Sequence, residues 1–160
     1  MDLNTLLIPL EGLDDKEVEE LGRRIYAELY LDNATLGVRL MHTGEEVLFW
    51  ADRFDHACFK ATGWRTYSHE KNAIDRGRVA RLRWIGEVVA GKVPNSACWQ
   101  VEHGYKPPNL IYVVNGFNYL VWVESTNKGG WKFSTAYPAD AHTMRGYLRG
   151  AKRIWRYIEK

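Results

Sequence analysis

Three short stretches of the chain carry side chains able to hold a phosphate or move a proton. The first is "GGWKFSTAYP", residues 129–138, which opens on a double glycine, alternates, and stops at a proline. Read as a strand, it puts Trp131, Phe133, Thr135 and Tyr137 on one face and Lys132, Ser134 and Ala136 on the other. A face that begins apolar and ends in two hydroxyls suits a strand leaving the core for a cleft. Thr135 and Tyr137, two positions apart, can both hydrogen-bond one phosphate; the plainer alternative is a strand rim facing water. Lys132, on the other face, is a candidate substrate-binding cation.

The second stretch is "DRFDHACFK", residues 52–60. As a helix it places Lys60 one turn beyond His56, so imidazole and ammonium share a face. Histidine titrates near neutrality and can serve as general acid or base. Its ordinary role, a hydrogen bond at the edge of a core, is the competing explanation. The third is "RVARLRWIGEVVAGKVP", residues 78–94. On a helical wheel of roughly 100° per residue, Arg78 falls inside the apolar arc and Arg81 on its edge, while Arg76 and Arg83 point away. A core-facing guanidinium needs a partner, because a lone buried charge is expensive. That partner is either a structural carboxylate or a bound anion.

The elements that must position these residues follow from pattern. "LDDKEVEELGRRIYAELYL" reads as a helix capped near Asp14 or Asp15, with Leu21, Ile25 and Leu29 as its stripe. "TLGVRLMH" suits a short strand, "EEVLFW" suits either a strand or part of the next element, and "ADRFDHACFKA" suits a short helix. Val79, Leu82, Ile85, Gly86 and Val89 define a helix ended by Gly91 and Pro94. "ACWQVEH" and the hairpin "LIYVVNGFNYLVWVES", with Asn115-Gly116 at its turn, lead into "WKFSTAY" as an antiparallel meander. "ADAHTMRGYLRGAKRIWRYIEK" carries a helical stripe of Met144, Tyr147, Leu148, Ala151, Ile154, Trp155 and Ile158. The expected class is α+β, with helices packed on one face of a small antiparallel meander sheet.

At 160 residues, 46% apolar and 13% aromatic, the chain is long enough for one packed domain, 1–160. A formal charge of +2 does not by itself mark a nucleic-acid binder. Its distribution says more. Arg65, Lys71, Arg76, Arg78, Arg81 and Arg83 cluster in residues 65–83, and Arg145, Arg149, Lys152, Arg153, Arg156 and Lys160 in residues 145–160. Such runs are ordinarily solvated helix faces, yet they also suit a polyanion. Seven tryptophans and nine tyrosines supply packing and, in the sharper reading, platforms for bases. Cys58 and Cys98 look like buried free thiols. No apolar run reaches transmembrane length and no signal-peptide pattern opens the chain, so a cytoplasmic protein without a membrane partner is expected. The five histidines form no metal-binding spacing, and no cofactor is implied. A nucleophile elbow and a phosphate-binding glycine loop are also missing, which weakens a small-molecule hydrolase reading.

Taken together, "RVARLRWIGEVVAGKVPN" and "IYVVNGFNYLVWVESTNKGGWKFSTAYP" resemble the phage-encoded nucleases of the barnase–EndoU–colicin–RelE group, the PBECR domains. The resemblance spans about residues 50–157 and leaves residues 1–45 as an N-terminal helical extension. It implies a barnase/RelE-like fold and a metal-independent endoribonuclease of phage or mobile-element origin. Such an enzyme cleaves RNA by attack of the ribose 2′-OH, leaving a 2′,3′-cyclic phosphate. Carried over by position, His56 is the acid/base group, Arg78 and Arg81 hold the scissile phosphate, and Thr135 and Tyr137 position phosphate or ribose. Tyr137 as a second proton-transfer group stays open. Lys60, from its position alone, adds electrostatic help. The implied partners are RNA, with tRNA among the candidates, and an inhibitor or antitoxin protein of the kind that accompanies such toxins. The competing class is a binding module that keeps the fold without cleaving.

Overall fold

The structure, a computed structural model, describes residues 1–60 and 73–159. After a short 3-10 turn at Leu3–Leu6, helix α1 (Asp15–Tyr30) starts at a reciprocal cap. Asp14 accepts from the Glu17 amide at 2.8 Å, and Glu17 accepts from the Asp14 amide at 3.2 Å, a pairing worth about 1 kcal/mol. Its buried face is Val18, Gly22, Ile25, Tyr26 and Tyr30; Leu21 and Leu29 lie at the margin. Strands β1 (Leu36–Leu40) and β2 (Glu46–Trp50) form an antiparallel hairpin, followed by α2 (Arg53–Cys58). The ladder β3 (Phe59–Lys60) and β4 (Ala73–Ile74) precedes α3 (Arg76–Ala80) and α4 (Leu82–Val89). Then come β5 (Ser96–His103), β6 (Lys106–Val114), β7 (Tyr119–Ser125), β8 (Trp131–Pro138), α5 (Ala141–Leu148) and β9 (Lys152–Arg156). Arg65, His69, Lys71 and Lys160 lie outside the described residues.

The molecule is α+β with one open, mostly antiparallel sheet of seven strands in the order β1-β2-β8-β7-β6-β5-β9. The expected meander is its centre, β5 to β8. The β6–β7 turn runs over residues 115–118, with positive φ at Gly116 (91°) and Asn118 (49°). The sheet is larger than the sequence pattern suggests. The β1–β2 hairpin joins it through a short parallel seam, Val47 with Trp131 and Leu48 with Lys132. Parallel pairing between segments this far apart in the chain leaves no turn signature.

Two expectations are corrected. The C-terminal segment is not one helix: α5 ends at Leu148, Gly150 takes φ 75°, and residues 152–156 run as β9 along β5. The helical spacing of Ala151, Ile154, Trp155 and Ile158 is overridden by tertiary packing. The Trp155 ring lies tilted, its centre 4.6 Å from that of His42, against Gly91, and a shift in register between Cys98 and Trp99 leaves Ile154 exposed. Nor do the helices share one face. The main core lies between the sheet and the N-terminal helices, while α5 covers the opposite face through Met144, over Ile111, Val113 and Leu120. From residues 1–45, set apart in the sequence as an extension, Leu3, Ile8, Val18, Ile25, Tyr26, Tyr30 and Met41 lie in that main core.

The arginine-bearing helix is also interrupted. Arg81, at φ −103° and ψ 12°, separates α3 from α4. Just beyond it, the Tyr30 hydroxyl donates to the Leu82 carbonyl and accepts from the Gly86 amide at 3.0 Å, so a side chain stands in the place of an i→i+4 helix bond. Only a residue without a Cβ fits there comfortably, since a Cβ on Gly86 would lie 3.1 Å from the Tyr30 ring. Among the described residues no helix is long and apolar enough to cross a membrane.

Candidate functional site

Strand β8 is where the candidate residues meet, and a bulge decides how. Val123 pairs with Phe133 and Trp122 with Thr135, so Ser134 is an extra residue between them. One extra residue shifts the alternation. Phe133 and Ala136 face the main core, whereas Lys132, Thr135 and Tyr137 face the α5 side beside Glu124, Trp122 and Leu120. The expected shared face of Phe133 with Thr135 and Tyr137 is therefore corrected, as is the separation of Lys132 from them. Ser134 turns to that side too: its hydroxyl donates to Glu124 Oε1 at 2.8 Å.

Pairing between β2 and β8 stops at Lys132, and α2 and α3 pack alongside the rest of β8. Arg53 from α2 reaches the strand, with Nε donating to the Phe133 carbonyl at 3.4 Å and Nη2 to Ser134 Oγ at 3.2 Å. Arg78 from α3 does the same farther along. Its guanidinium carbon sits 4.7 Å from the centre of the Tyr137 ring, a cation–π distance. Asp75 caps α3 and accepts from the Arg78 amide at 3.2 Å, and its other oxygen lies 3.4 Å from Arg78 Nε. Arg78 Nη1 donates to the Ala57 carbonyl at 3.4 Å. The side chain is only 18% exposed, so the core-facing arginine expected from the wheel is real, and its partner is a carboxylate plus a tyrosine face. Both contacts are long, and among the described residues the fork of five N–H donors is far from saturated.

Between the two arginines lies Thr135, 8% exposed, whose Oγ1 is buried and has no hydrogen-bond partner among the described residues. Buried hydroxyls are rarely left so. The Tyr137 hydroxyl shares a 2.9 Å hydrogen bond with that of Tyr147. Burial first, and then that bond, raise the Tyr137 phenol above its ordinary value, with Arg78 pulling the other way. It therefore stays protonated at neutral pH and acts as a donor, not an anion.

The remaining candidates are placed unevenly. Arg81 donates from Nη1 to the Gly77 carbonyl at 2.8 Å and packs 5.1 Å from the Trp84 ring. Burial drives the Tyr119 phenol, the neighbour of Pro138 across the sheet, well up, and the positive charges of Arg81 and Arg78 oppose it only weakly. His56 is exposed on α2, one residue before the carbonyl that receives Arg78. Lys60 does not continue that helix, which corrects the expected His56–Lys60 face. The chain turns extended at Phe59, whose ring packs edge-on against Phe54, and Lys60 belongs to β3. Lys132 lies at the other end of β8, 3.6 Å from Glu124 Oε2.

Three residues of this neighbourhood do not stand out in the sequence: Arg53, Glu124 and Tyr147. Burial works to raise the Glu124 carboxyl, but Ser134, Arg53 and Lys132 outweigh it and hold the carboxyl below its ordinary value. Tyr147 sits in the helical stripe of α5 and reads as packing. A side-chain network across a bulge has no sequence signature. Among the described residues no group of three or more His, Cys, Asp or Glu is arranged to hold a metal ion.

An α+β chain with an open sheet and an arginine–tyrosine pair at one strand edge is the class that fold and site define. No protein family matches the chain, and comparison with curated proteins and with solved structures finds no match.

Proposed function

We propose that the chain is an endoribonuclease of barnase/RelE-like architecture that works without a metal ion. The observation that carries this reading is the buried, unpartnered Thr135 hydroxyl beside Tyr137, whose ring is covered by the Arg78 guanidinium. A guanidinium with donors unused among the described residues, a phenol and a hydroxyl with no partner there match the needs of a phosphate whose charge grows during transfer. Because the Thr135 oxygen is covered in the free protein, neighbouring side chains give way as the substrate enters. Arg78, held by contacts of 3.4 Å, has little to lose by re-aiming.

In the reaction the ribose 2′-oxygen attacks phosphorus as the bond to the 5′-oxygen breaks. The 2′-proton passes to a base and a proton reaches the departing 5′-oxygen, leaving a 2′,3′-cyclic phosphate. Arg78 holds the non-bridging oxygens, with Arg81 adding positive charge from the next turn. Thr135 and Tyr137 donate to phosphate or ribose. His56, on the helix that meets Arg78, is the proton carrier, and Lys60 and Lys132 bind flanking phosphates. The origin proposed is a phage or mobile element, with an inhibitor protein as the natural partner.

The test is incubation of purified protein with total RNA in EDTA. Cleavage with cyclic phosphate ends is expected, reduced at least about a hundredfold by Arg78→Ala. Intact RNA, or cleavage only when a divalent metal is supplied, overturns the proposal and favours the non-cleaving binding module. A His56→Ala variant with wild-type rates removes that residue from the mechanism.

A further inference from the structure

The sheet face that carries Thr135 and Tyr137 does not end at α5. Beyond Ser134 it opens into a cavity of about 280 Å³ between the β5–β6 and β7–β8 turns, lined among others by His103, Lys106, Asn109, Glu124, Asn127 and Lys132. Its size is at the lower end of small-ligand sites, about 300 Å³. It is linked to Arg53, at the edge of the strand that carries Tyr137, through one chain of contacts. Lys132 and Ser134 both meet Glu124, and Arg53 reaches Ser134 from the strand edge.

The lining chemistry is mixed in an informative way. Lys106 and Lys132 offer cations, and His103 adds an imidazole; neither His103 nor Lys106 has a side-chain partner among the described residues. Asn109 uses Oδ1 on the Ser125 amide at 3.2 Å, which fixes its amide plane and leaves the NH₂ group to donate. Glu124 is held as a carboxylate at the wall. Cations suit phosphate, whereas a carboxylate repels it and instead accepts from amino groups on a base edge. An acidic peptide would meet Glu124 unfavourably, while a nucleotide uses both kinds of group.

We infer that this cavity is a nucleotide subsite, taking a base and its phosphate some nucleotides away from the one held by Arg78 and Tyr137. The subsite rests on reading that pair as a phosphate-holding site. The separation along β8 from Tyr137 to Lys132 is roughly 15 Å at a strand's rise per residue, which a short run of extended nucleotides spans. The preferred substrate is then an unpaired oligonucleotide several residues long, not a dinucleotide.

The experiment uses 2′-O-methyl oligocytidylates, whose bases carry the amino group that Glu124 would accept from and which cannot be cleaved by 2′-OH attack, and measures binding by fluorescence anisotropy. The hexanucleotide is expected to bind at least about tenfold tighter than the dinucleotide. Lys106→Ala removes most of that advantage and leaves dinucleotide affinity unchanged. It also makes the dependence of log Kd on log salt shallower by about 0.7, because one phosphate fewer is neutralised. Lys106→Arg restores both. Equal affinity for both lengths, an equal loss on both, or equally effective competition by hexaglutamate overturns the subsite, even if RNA cleavage is found. Length-dependent binding in a protein that fails to cleave supports the subsite and sinks only the ribonuclease reading.

Discussion

Thr135 makes a sharp test because its hydroxyl contributes nothing to the fold that the structure shows. A buried hydroxyl without a partner costs roughly 1–3 kcal/mol of desolvation. Thr135→Val keeps the shape and removes that cost, so equilibrium unfolding in urea should show the variant at least as stable as wild type, by up to about 1 kcal/mol. RNA cleavage should fall by at least about tenfold. A clear loss of stability instead means that Thr135 has a native partner, and the orphan-hydroxyl argument goes with it. The sequence exposes Thr135, Tyr137 and Arg78 because each breaks a local pattern: hydroxyls closing an apolar strand, a cation in an apolar arc. Arg53 and Glu124 break none. Their meaning comes from Ser134, and nothing in "KFSTAY" says that the serine is the residue the ladder leaves unpaired.

Secondary elements tell a similar story about local and tertiary control. The cap at Asp14, the hairpin around Gly116 and the first three turns of α1 are set by residues close in sequence, and they are readable there. The strand β9 is not, since its helical spacing is as good as that of α5 and tertiary contacts, its pairing with β5 and Trp155 against His42 and Gly91, distinguish them. Helix α4, just past the break at Arg81, has a tertiary tie too, the Tyr30 hydroxyl lodged between Leu82 and Gly86. Tyr30→Phe keeps the stacked ring on Phe49, at 4.6 Å, and deletes only the bridge. The expected destabilisation is about 1–3 kcal/mol by urea unfolding. No change would mean that the helix closes its own bond once the hydroxyl is gone, and that the bridge is not what holds α4 in place.

Across the molecule, one titrating group ties the two edges of the sheet together. His42, after β1, accepts or donates through Nδ1 to the Tyr112 hydroxyl at 2.7 Å and lies against Trp155 of β9. Burial lowers its imidazole below the ordinary value of 6.5, and Glu45 opposes more weakly. The folded chain thus binds this proton less readily than the unfolded chain. Stability from this source is fully present above the ordinary histidine range and is lost as pH falls through the depressed folded value. The melting temperature should drop between about pH 7.5 and about pH 5.5, and His42→Gln should flatten that drop. Identical slopes would show that the folded and unfolded chains bind the His42 proton equally, and that burial does not depress it.

The parallel seam between β2 and β8 has a consequence for how the chain is made. Strands β5 to β8 pair with sequence neighbours, but β2 has no partner in the main sheet beyond β1 until residues 131–132 exist. Contacts that close such long loops form late. During synthesis the first hairpin therefore waits beside the ribosome, and both arginine contacts, Arg53 with Ser134 and Arg78 with Tyr137, wait with it. A copy cut short before β8 holds guanidiniums with no strand to lie on, so a cell making this protein meets the assembled crevice only after residues 131–138 have been made.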